Sequence, residues 1–241
     1  MPKLIPARTP DLINKAIEKI ANFDEQVLRN IIGLNLNLNA FDDLSDDPLD
    51  WKEAGLAADF SNRFGLSELQ YNAIDYVFDI RAWPKSRFGN GDFPVWYGSL
   101  ELETSFYETT YHWLQFLKNS PGLIKKKSQK PICNIRTVFS VQCQSSLVDL
   151  REKTKEVPSL ISKNNYQDTQ RIGSKLAKEG FPGLIALSAR ITPGSNLAVF
   201  NKQVLKSPQH QGDYLYQVQP NNLLEVEIFD YQNKKQVGRV K

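Results

Sequence analysis

Four polar side chains have the types needed for chemistry on an anionic ligand: Arg87, Tyr97, Glu108 and Ser188. Arg87 precedes a Gly-Asn-Gly turn, and a guanidinium beside exposed backbone N–H groups suits a phosphate, or else a surface salt bridge. Tyr97 could stack on a flat heterocycle or fill core, and Glu108 could point into a cleft or into water. Ser188 follows the apolar run GLIAL, where a serine can donate to a ligand or serve in a turn. Each residue alone allows both a structural and a functional interpretation.

Further polar residues in the chain are equally ambiguous when taken singly. Arg81 and Arg190 could bind phosphate or form surface ion pairs. His112 follows Glu108 by one helical turn, and a lone histidine there is more typical of a structural donor than of a catalytic base. No G-x-S-x-G surrounds Ser188, so it does not resemble a hydrolase nucleophile. The sequence has neither GxGxxG nor GxxxxGK[ST], which argues against Rossmann and P-loop nucleotide sites.

A strand and a helix must position the first three candidates. The segment FPVWYGS, from Phe93, predicts a strand, and a helix follows it to about Leu117. Glu108 falls on a flank of this helix that it shares with His112. One stripe of the helix should face the core: Leu102, Phe106, Thr109, Trp113 and Leu117.

The remainder of the chain predicts strands with interspersed helices. Apolar residues alternate with polar ones between Ile135 and Cys143, which indicates a half-buried strand. A helix is predicted over about Gln167 to Lys178, ending at Gly180. Strands or extended segments follow at GLIALS, NLAVF, DYLYQVQ and LLEVEIFDY. This mixture predicts an α+β fold, with a mixed sheet and flanking helices.

The N-terminal part reads as mostly helical. Thr9-Pro10 predicts a first helix to about Ile20, and Asp24 could cap a second helix through Ile32. Ser67 with Gln70 predicts a capping box for a further helix to about Tyr76. The acidic stretch AFDDLSDDPLDW is either a solvated connection or a docking surface, and the basic KKKSQK reads as a loop. We therefore predict a helical extension over residues 1–75 and a second domain over residues 76–241.

Composition narrows the class of protein. The 241 residues are 41% hydrophobic, and 30 basic against 27 acidic side chains give a net charge of +3. That excess is too small to indicate nucleic acid or membrane as a partner. The N-terminus lacks the apolar core of a signal peptide, and no apolar run is long enough to span a bilayer. The only cysteines, Cys133 and Cys143, lie in one predicted strand, too far apart for a disulfide. We expect a cytoplasmic protein without a metal site.

Two sequence blocks resemble the RES domain family, which is named for its arginine, glutamate and serine. The first is IRAWPKSRFGNGDFPVWYGSLELETSFYETTYH, and the second is GFPGLIALSARITPGSNLAVFN. The resemblance runs from roughly Ile80 to Asn201 and implies a fold similar to ADP-ribosyltransferases of the diphtheria-toxin type. It also implies a bacterial toxin that consumes NAD as substrate, needs no cofactor, and pairs with a helix-turn-helix antitoxin. A homo-oligomer is left open.

The resemblance implies roles for individual residues. Glu108 would stabilise positive charge on the nicotinamide ribose, and Arg87 would hold the pyrophosphate. Tyr97 would stack against or orient that ribose, and Ser188 would bind ligand or position Glu108. Arg81 and Arg190 would assist with phosphate, and Asn201 takes the position of the family's asparagine after the serine; no catalytic role is carried over to His112.

Three functions remain open on these residues. The protein could release nicotinamide by hydrolysis or phosphorolysis of NAD. It could instead transfer ADP-ribose to a protein target, because both reactions use the same NAD cleft. A catalytically silent protein-binding module is the third, which the intact set of arginine, tyrosine, glutamate and serine argues against.

Overall fold

The computed structural model describes residue 14 and residues 17–33, 68–120 and 131–241. Several predictions fall on other residues. The helix after Thr9-Pro10 lies largely outside the described residues, as do the acidic stretch, the capping Ser67 and the basic loop. No described helix is both long and apolar enough to cross a membrane.

The described residues form eight strands and several helices. The strands are β1 (Ile20–Ile32), β2 (Trp96–Ser99), β3 (Ile132–Asp149), β4 (Gly183–Leu187), β5 (Ser195–Val199), β6 (Leu205–Gln219), β7 (Asn222–Asp230) and β8 (Gln236–Val240). Residues 68–74 are helical, and the helices after them are α1 (Tyr76–Asp79), α2 (Leu102–Asn119) and α3 (Gln167–Lys178). Short 3₁₀ turns cover Arg151–Thr154, Pro158–Ile161 and Lys202–Val204.

The strands form a mixed sheet in the order β1-β2-β5-β4-β3-β6-β7-β8. Strand β5 pairs antiparallel with both β2 and β4, whereas β3 and β4 run parallel. Strands β6, β7 and β8 form an antiparallel meander. This arrangement, together with the flanking helices, confirms the predicted α+β class.

By internal contacts the chain divides into two units, and the first contains the segments 1–27, 77–104 and 142–206. Its core lies under α3, where Ile172 and Leu176 are buried with Leu184 of β4. Asp149, at the end of β3, is 2% exposed and receives two hydrogen bonds from the Arg151 guanidinium, at 2.9 and 2.8 Å. Burial alone would raise the pKa of Asp149, but the hydrogen bonds and charge of Arg151 hold it below its ordinary value.

The second unit contains the segments 28–76, 105–141 and 207–241. Aromatic rings of α2 pack against β6 in this unit. Phe106 meets Tyr214 and Tyr216 edge-on, with ring centroids 4.9 and 6.0 Å apart, and Trp113 meets Tyr216 at 6.2 Å. These contacts help to bury Phe106 and Trp113 of the predicted stripe, in which Leu117 is also buried and Leu102 and Thr109 are half-buried.

The helix predicted from Asp24 to Ile32 is wrong, because these residues belong to strand β1. Phe23, Val27 and Ile31 are buried, and a spacing of four residues places side chains on one face of a helix and also on one face of a strand. The pattern therefore allowed both structures. Pairing with β3 makes this segment a strand. Its β-branched residues Val27, Ile31 and Ile32 also favour a strand. The division at residues 75 and 76 stays a prediction.

The helices and strands predicted after residue 93 are all present. Helix α3 has the predicted bounds. Gly180, just after it, has φ of +80°, which is the left-handed backbone conformation in which a glycine commonly ends an α-helix. Strand β3 contains both cysteines as free thiols. Its middle is more buried than the alternation predicts, because residues 137–141 are all buried. Strand β3 is an interior strand of the sheet and also pairs with β1.

Candidate active site

Arg87 lies in the loop before β2 and is half-buried. Its guanidinium donates a hydrogen bond to the backbone oxygen of Leu160, in the 3₁₀ turn Pro158–Ile161. Its central carbon also lies 5.2 Å from the ring centre of Phe88. Arg87 is therefore held against the first unit's core.

Tyr97 on β2 forms hydrogen bonds with the residues on both sides of Arg87, through the Phe88 backbone and the Ser86 side chain. Its hydroxyl oxygen accepts a hydrogen bond of 2.8 Å from the backbone N–H of Phe88. The same hydroxyl lies 2.9 Å from the hydroxyl of Ser86, the residue before Arg87. Burial raises the pKa of Tyr97 to about 12, against the opposing effects of the Ser86 and Phe88 hydrogen bonds and of the Arg87 charge. The phenol thus stays protonated at neutral pH and acts as a clamp rather than as a base.

Helix α3 supports the Arg87 loop from another side. Gly173 lies directly against the backbone of Phe88, and a Cβ added at Gly173 would overlap the Phe88 carbonyl oxygen. One turn earlier, the Gln170 side-chain amide donates to the backbone oxygen of Ser86, at 2.9 Å. A glycine in a helix interior is unfavourable by about 1 kcal/mol relative to alanine, so close approach to the loop explains its presence here.

Arg190 and Tyr166 join the Arg87 loop in one cluster. The Arg190 guanidinium donates to the Tyr166 hydroxyl at 2.7 Å and to the backbone oxygen of Lys163 at 2.9 Å. The two guanidinium groups bind backbone oxygens only three residues apart, Arg87 at Leu160 and Arg190 at Lys163. Two guanidinium groups and two phenols of the first unit therefore lie in one neighbourhood, which suits an anionic, planar ligand.

Ser188 lies just after β4 and organises the turn that follows it. Its hydroxyl oxygen accepts hydrogen bonds from the backbone N–H groups of Arg190, at 3.0 Å, and Ile191, at 3.3 Å. Its own backbone N–H donates to the oxygen of Gly194 at 2.7 Å. The buried Ser188 thus fixes the backbone that carries Arg190, and its direct contact with a ligand stays a prediction.

Glu108 lies on α2 in the part of the helix that belongs to the second unit, and it is half-buried. His112, one turn later, is exposed. The proximity of the Glu108 carboxylate to a ligand stays a prediction.

Arg81 and Asn201 are the remaining candidates of the first unit. Arg81 is exposed in the loop after α1. Asn201 is exposed and caps the 3₁₀ turn Lys202–Val204, accepting from the Gln203 N–H at 3.0 Å. The structure therefore brings Arg87, Tyr97, Ser188 and Arg190 together, and the roles of Arg81 and Asn201 stay predictions.

Three residues of the cluster's surroundings were missed from the sequence: Tyr166, Gln170 and Gly173. Only Gly173 gave a usable signal, as a glycine inside a predicted amphipathic helix.

A groove of about 660 Å³ lies beside the Gly-Asn-Gly turn, lined mainly by polar residues of α3. Among the described residues, no group of three or more His, Cys, Asp or Glu could hold a metal ion.

The family model of the RES domain matches residues 36–219 of this chain. That segment is well over half of the 241 residues. The chain belongs to the RES domain family. Curated proteins contain no sequence match to it.

The RES segment contains every candidate residue, and it begins well before Ile80, where the resemblance read from the sequence began. Strands β7 and β8 lie beyond it. A solved structure that aligns with this chain is the crystal structure of the M. tuberculosis MbcT-MbcA toxin-antitoxin complex. It is 12% identical, the alignment covers 88% of this chain and 92% of that chain, and the TM-score is 0.44. Membership of the RES family rests on the domain match alone.

Proposed function

We propose that this RES domain protein is the toxin of a toxin–antitoxin pair and degrades NAD by cleaving its nicotinamide–ribose bond. The observation that carries the proposal is the cluster of Arg87, Tyr97 and Arg190 within a RES-matched segment. Two fixed guanidinium groups match the two negative charges of a pyrophosphate, and the neighbouring phenols offer flat faces to a base or ribose. NAD combines these chemical features.

The reaction can be written with the chain's own residues. As the bond between ribose C1′ and the nicotinamide nitrogen breaks, its electron pair neutralises the pyridinium, and positive charge develops on the ribose. Glu108 stabilises that charge as a carboxylate and orients the incoming water or phosphate. The attacking oxygen forms the new bond to C1′, and in hydrolysis the proton that water loses passes to Glu108 or to solvent. Arg87 and Arg190 hold the pyrophosphate.

The test follows nicotinamide release by purified protein incubated with NAD, with and without phosphate. The variant Glu108→Gln is nearly isosteric and should abolish turnover while the protein keeps its fold. Glu103→Gln is the matched control, because Glu103 is an exposed residue of the same helix. Full turnover by Glu108→Gln would remove Glu108 from the mechanism.

The same assay separates the other functions when cell lysate and labelled NAD are added. Label that appears only on a lysate protein would replace our proposal by ADP-ribose transfer. No turnover in any condition would leave a protein-binding module. Phosphate-dependent formation of ADP-ribose 1″-phosphate would identify phosphorolysis rather than hydrolysis.

The family resemblance also leads us to propose a helix-turn-helix antitoxin as partner. We expect a small reading frame for such a protein next to this gene. Co-expression should restore growth to cells that the active protein inhibits, whereas cells expressing Glu108→Gln should grow without the partner. Equal growth inhibition by the two forms would contradict an NAD-dependent toxin.

A further inference from the structure

A buried polar network in the second unit leads to the turn of α2 that carries Glu108. It begins at Arg136 on β3, whose Nε donates to the Asn30 side-chain oxygen at 2.9 Å. A second guanidinium nitrogen donates to the Asn30 backbone oxygen at 3.1 Å. Because a guanidinium can only donate, the Asn30 amide must turn its oxygen to Arg136 and its nitrogen away from it.

The Asn30 nitrogen and the Tyr216 hydroxyl connect this pair to the helix. Asn30 Nδ2 donates to the Tyr216 hydroxyl at 3.0 Å and to Ser105 Oγ at 3.3 Å. The Tyr216 hydroxyl in turn lies 2.9 Å from Thr109 Oγ1. Thr109 Oγ1 donates to the backbone oxygen of Ser105 at 2.7 Å, and a carbonyl oxygen can only accept. Tyr216 must therefore donate to Thr109, which gives the network one direction from Arg136 to the helix.

The network is buried, so the loss of any one of its hydrogen bonds leaves a polar group unpaired away from water. Tyr216 is fully buried and Asn30 is 9% exposed. Burial raises the pKa of Tyr216, against the opposing charge of Arg136, so the phenol keeps the proton that it donates to Thr109. In a buried network of low dielectric, losing one member leaves its neighbours unpaired, and the others rearrange.

The two helix residues that the network holds bracket Glu108. Ser105 and Thr109 are one helical turn apart, and Glu108 lies within that turn. The ring contacts of Phe106 are less directional than hydrogen bonds and so define the orientation of the helix less closely. The bonds from Asn30 and Tyr216 fix both ends of the turn, and with them the direction in which the Glu108 side chain leaves the helix.

We propose that Tyr216, held by Asn30 and Arg136, is a positioning residue for the Glu108 carboxylate. The inference rests on the proposed function, since it takes Glu108 as the group that acts on the ribose. A shift of about 1 Å in such a group can lower the rate about 100-fold. Tyr216 itself does not touch substrate in this proposal, so the effect should fall on kcat and not on KM.

The test is Tyr216→Phe, which keeps the ring contacts with Phe106 and Trp113 and removes the hydroxyl. We expect kcat for NAD to fall about 10- to 100-fold while KM changes by less than about 3-fold. Tyr214→Phe is the matched control: it lies on the same strand, packs on Phe106, and should keep the kcat of the unchanged protein. Full kcat in folded Tyr216→Phe protein would overturn the proposal.

A second variant, Asn30→Asp, tests the direction of the network. The introduced carboxylate still accepts from Arg136, but it has no hydrogen to donate to Tyr216. The Tyr216 hydroxyl should then turn to that carboxylate and release Thr109, so kcat should fall about as far as in Tyr216→Phe. A folded Asn30→Asp protein with undiminished kcat would contradict the proposed direction and the positioning role with it.

Amide hydrogen exchange separates this inference from the proposed function. We expect the backbone amides of residues 105–109 to exchange faster in Tyr216→Phe than in Tyr214→Phe, and this measurement needs no substrate. If the unchanged protein does not turn over NAD, the proposed function fails even where exchange increases. If it turns over NAD and neither kcat nor exchange differs between the two variants, the positioning role fails alone.

Discussion

Replacing Tyr97 by phenylalanine should release the loop that holds Arg87. The hydroxyl lost in Tyr97→Phe accepts from the Phe88 N–H at 2.8 Å and lies 2.9 Å from Ser86 Oγ. Phe88 is 2% exposed, so its N–H would lose its partner away from water. Leaving a buried donor unpaired destabilises a protein by about 1–3 kcal/mol.

The expected change in melting temperature follows from this loss of stability of about 1–3 kcal/mol. For a chain of this length, about 1 kcal/mol corresponds to about 2–4 °C in the melting temperature. A loss of about 2 kcal/mol should therefore lower the melting temperature of Tyr97→Phe by about 4–8 °C. Because a hydrogen bond from a charged donor contributes about 1.5–3 kcal/mol, displacing Arg87 from the pyrophosphate should raise KM for NAD by about 10- to 100-fold.

Two measurements on the same preparation test this reasoning: a thermal melt followed by circular dichroism, and initial rates of nicotinamide release over a range of NAD concentrations. Tyr231→Phe serves as control, since the ring contact of Tyr231 with Lys234 survives loss of the hydroxyl. An unchanged melting temperature and an unchanged KM would refute the clamp. An unchanged melting temperature with lost activity would instead mean that the Tyr97 hydroxyl acts on the ligand directly.

Two further predictions concern stability. Gly173→Ala should lower the free energy of unfolding by about 1–3 kcal/mol, because the added methyl group would overlap the Phe88 carbonyl. Ser174→Ala, in the same helix, is the control and should leave the free energy of unfolding unchanged. Equal urea midpoints for the two variants would contradict the close approach of Gly173 to Phe88. The lowered pKa of Asp149 beside Arg151 predicts a contribution to stability that is present above the unfolded pKa of about 3.9. It should be lost as pH falls through the lower folded pKa, and urea unfolding from about pH 6 to about pH 2 should show a steeper decline for the unchanged protein than for Asp149→Asn.

The amino-acid sequence determined the elements with strong local patterns and the order of the motif residues. The stripe of α2 and the bounds of α3 with Gly180 follow from periodicity and capping, which act within a few residues. The two motif blocks, with Arg87 and Ser188 in them, predicted the RES family that the domain match then showed.

Only the tertiary structure decided what depends on partners distant in the chain. Strand β1 pairs with β3, which selects a strand where the spacing of its buried residues allowed a helix. The bond from Arg87 to Leu160 joins residues 73 positions apart, and no local pattern records such a contact. The hydrogen bonds of Tyr97 and Tyr166 also join residues that no local pattern connects. The sequence shows that both residues are tyrosines, but only the fold determines which groups their hydroxyls contact.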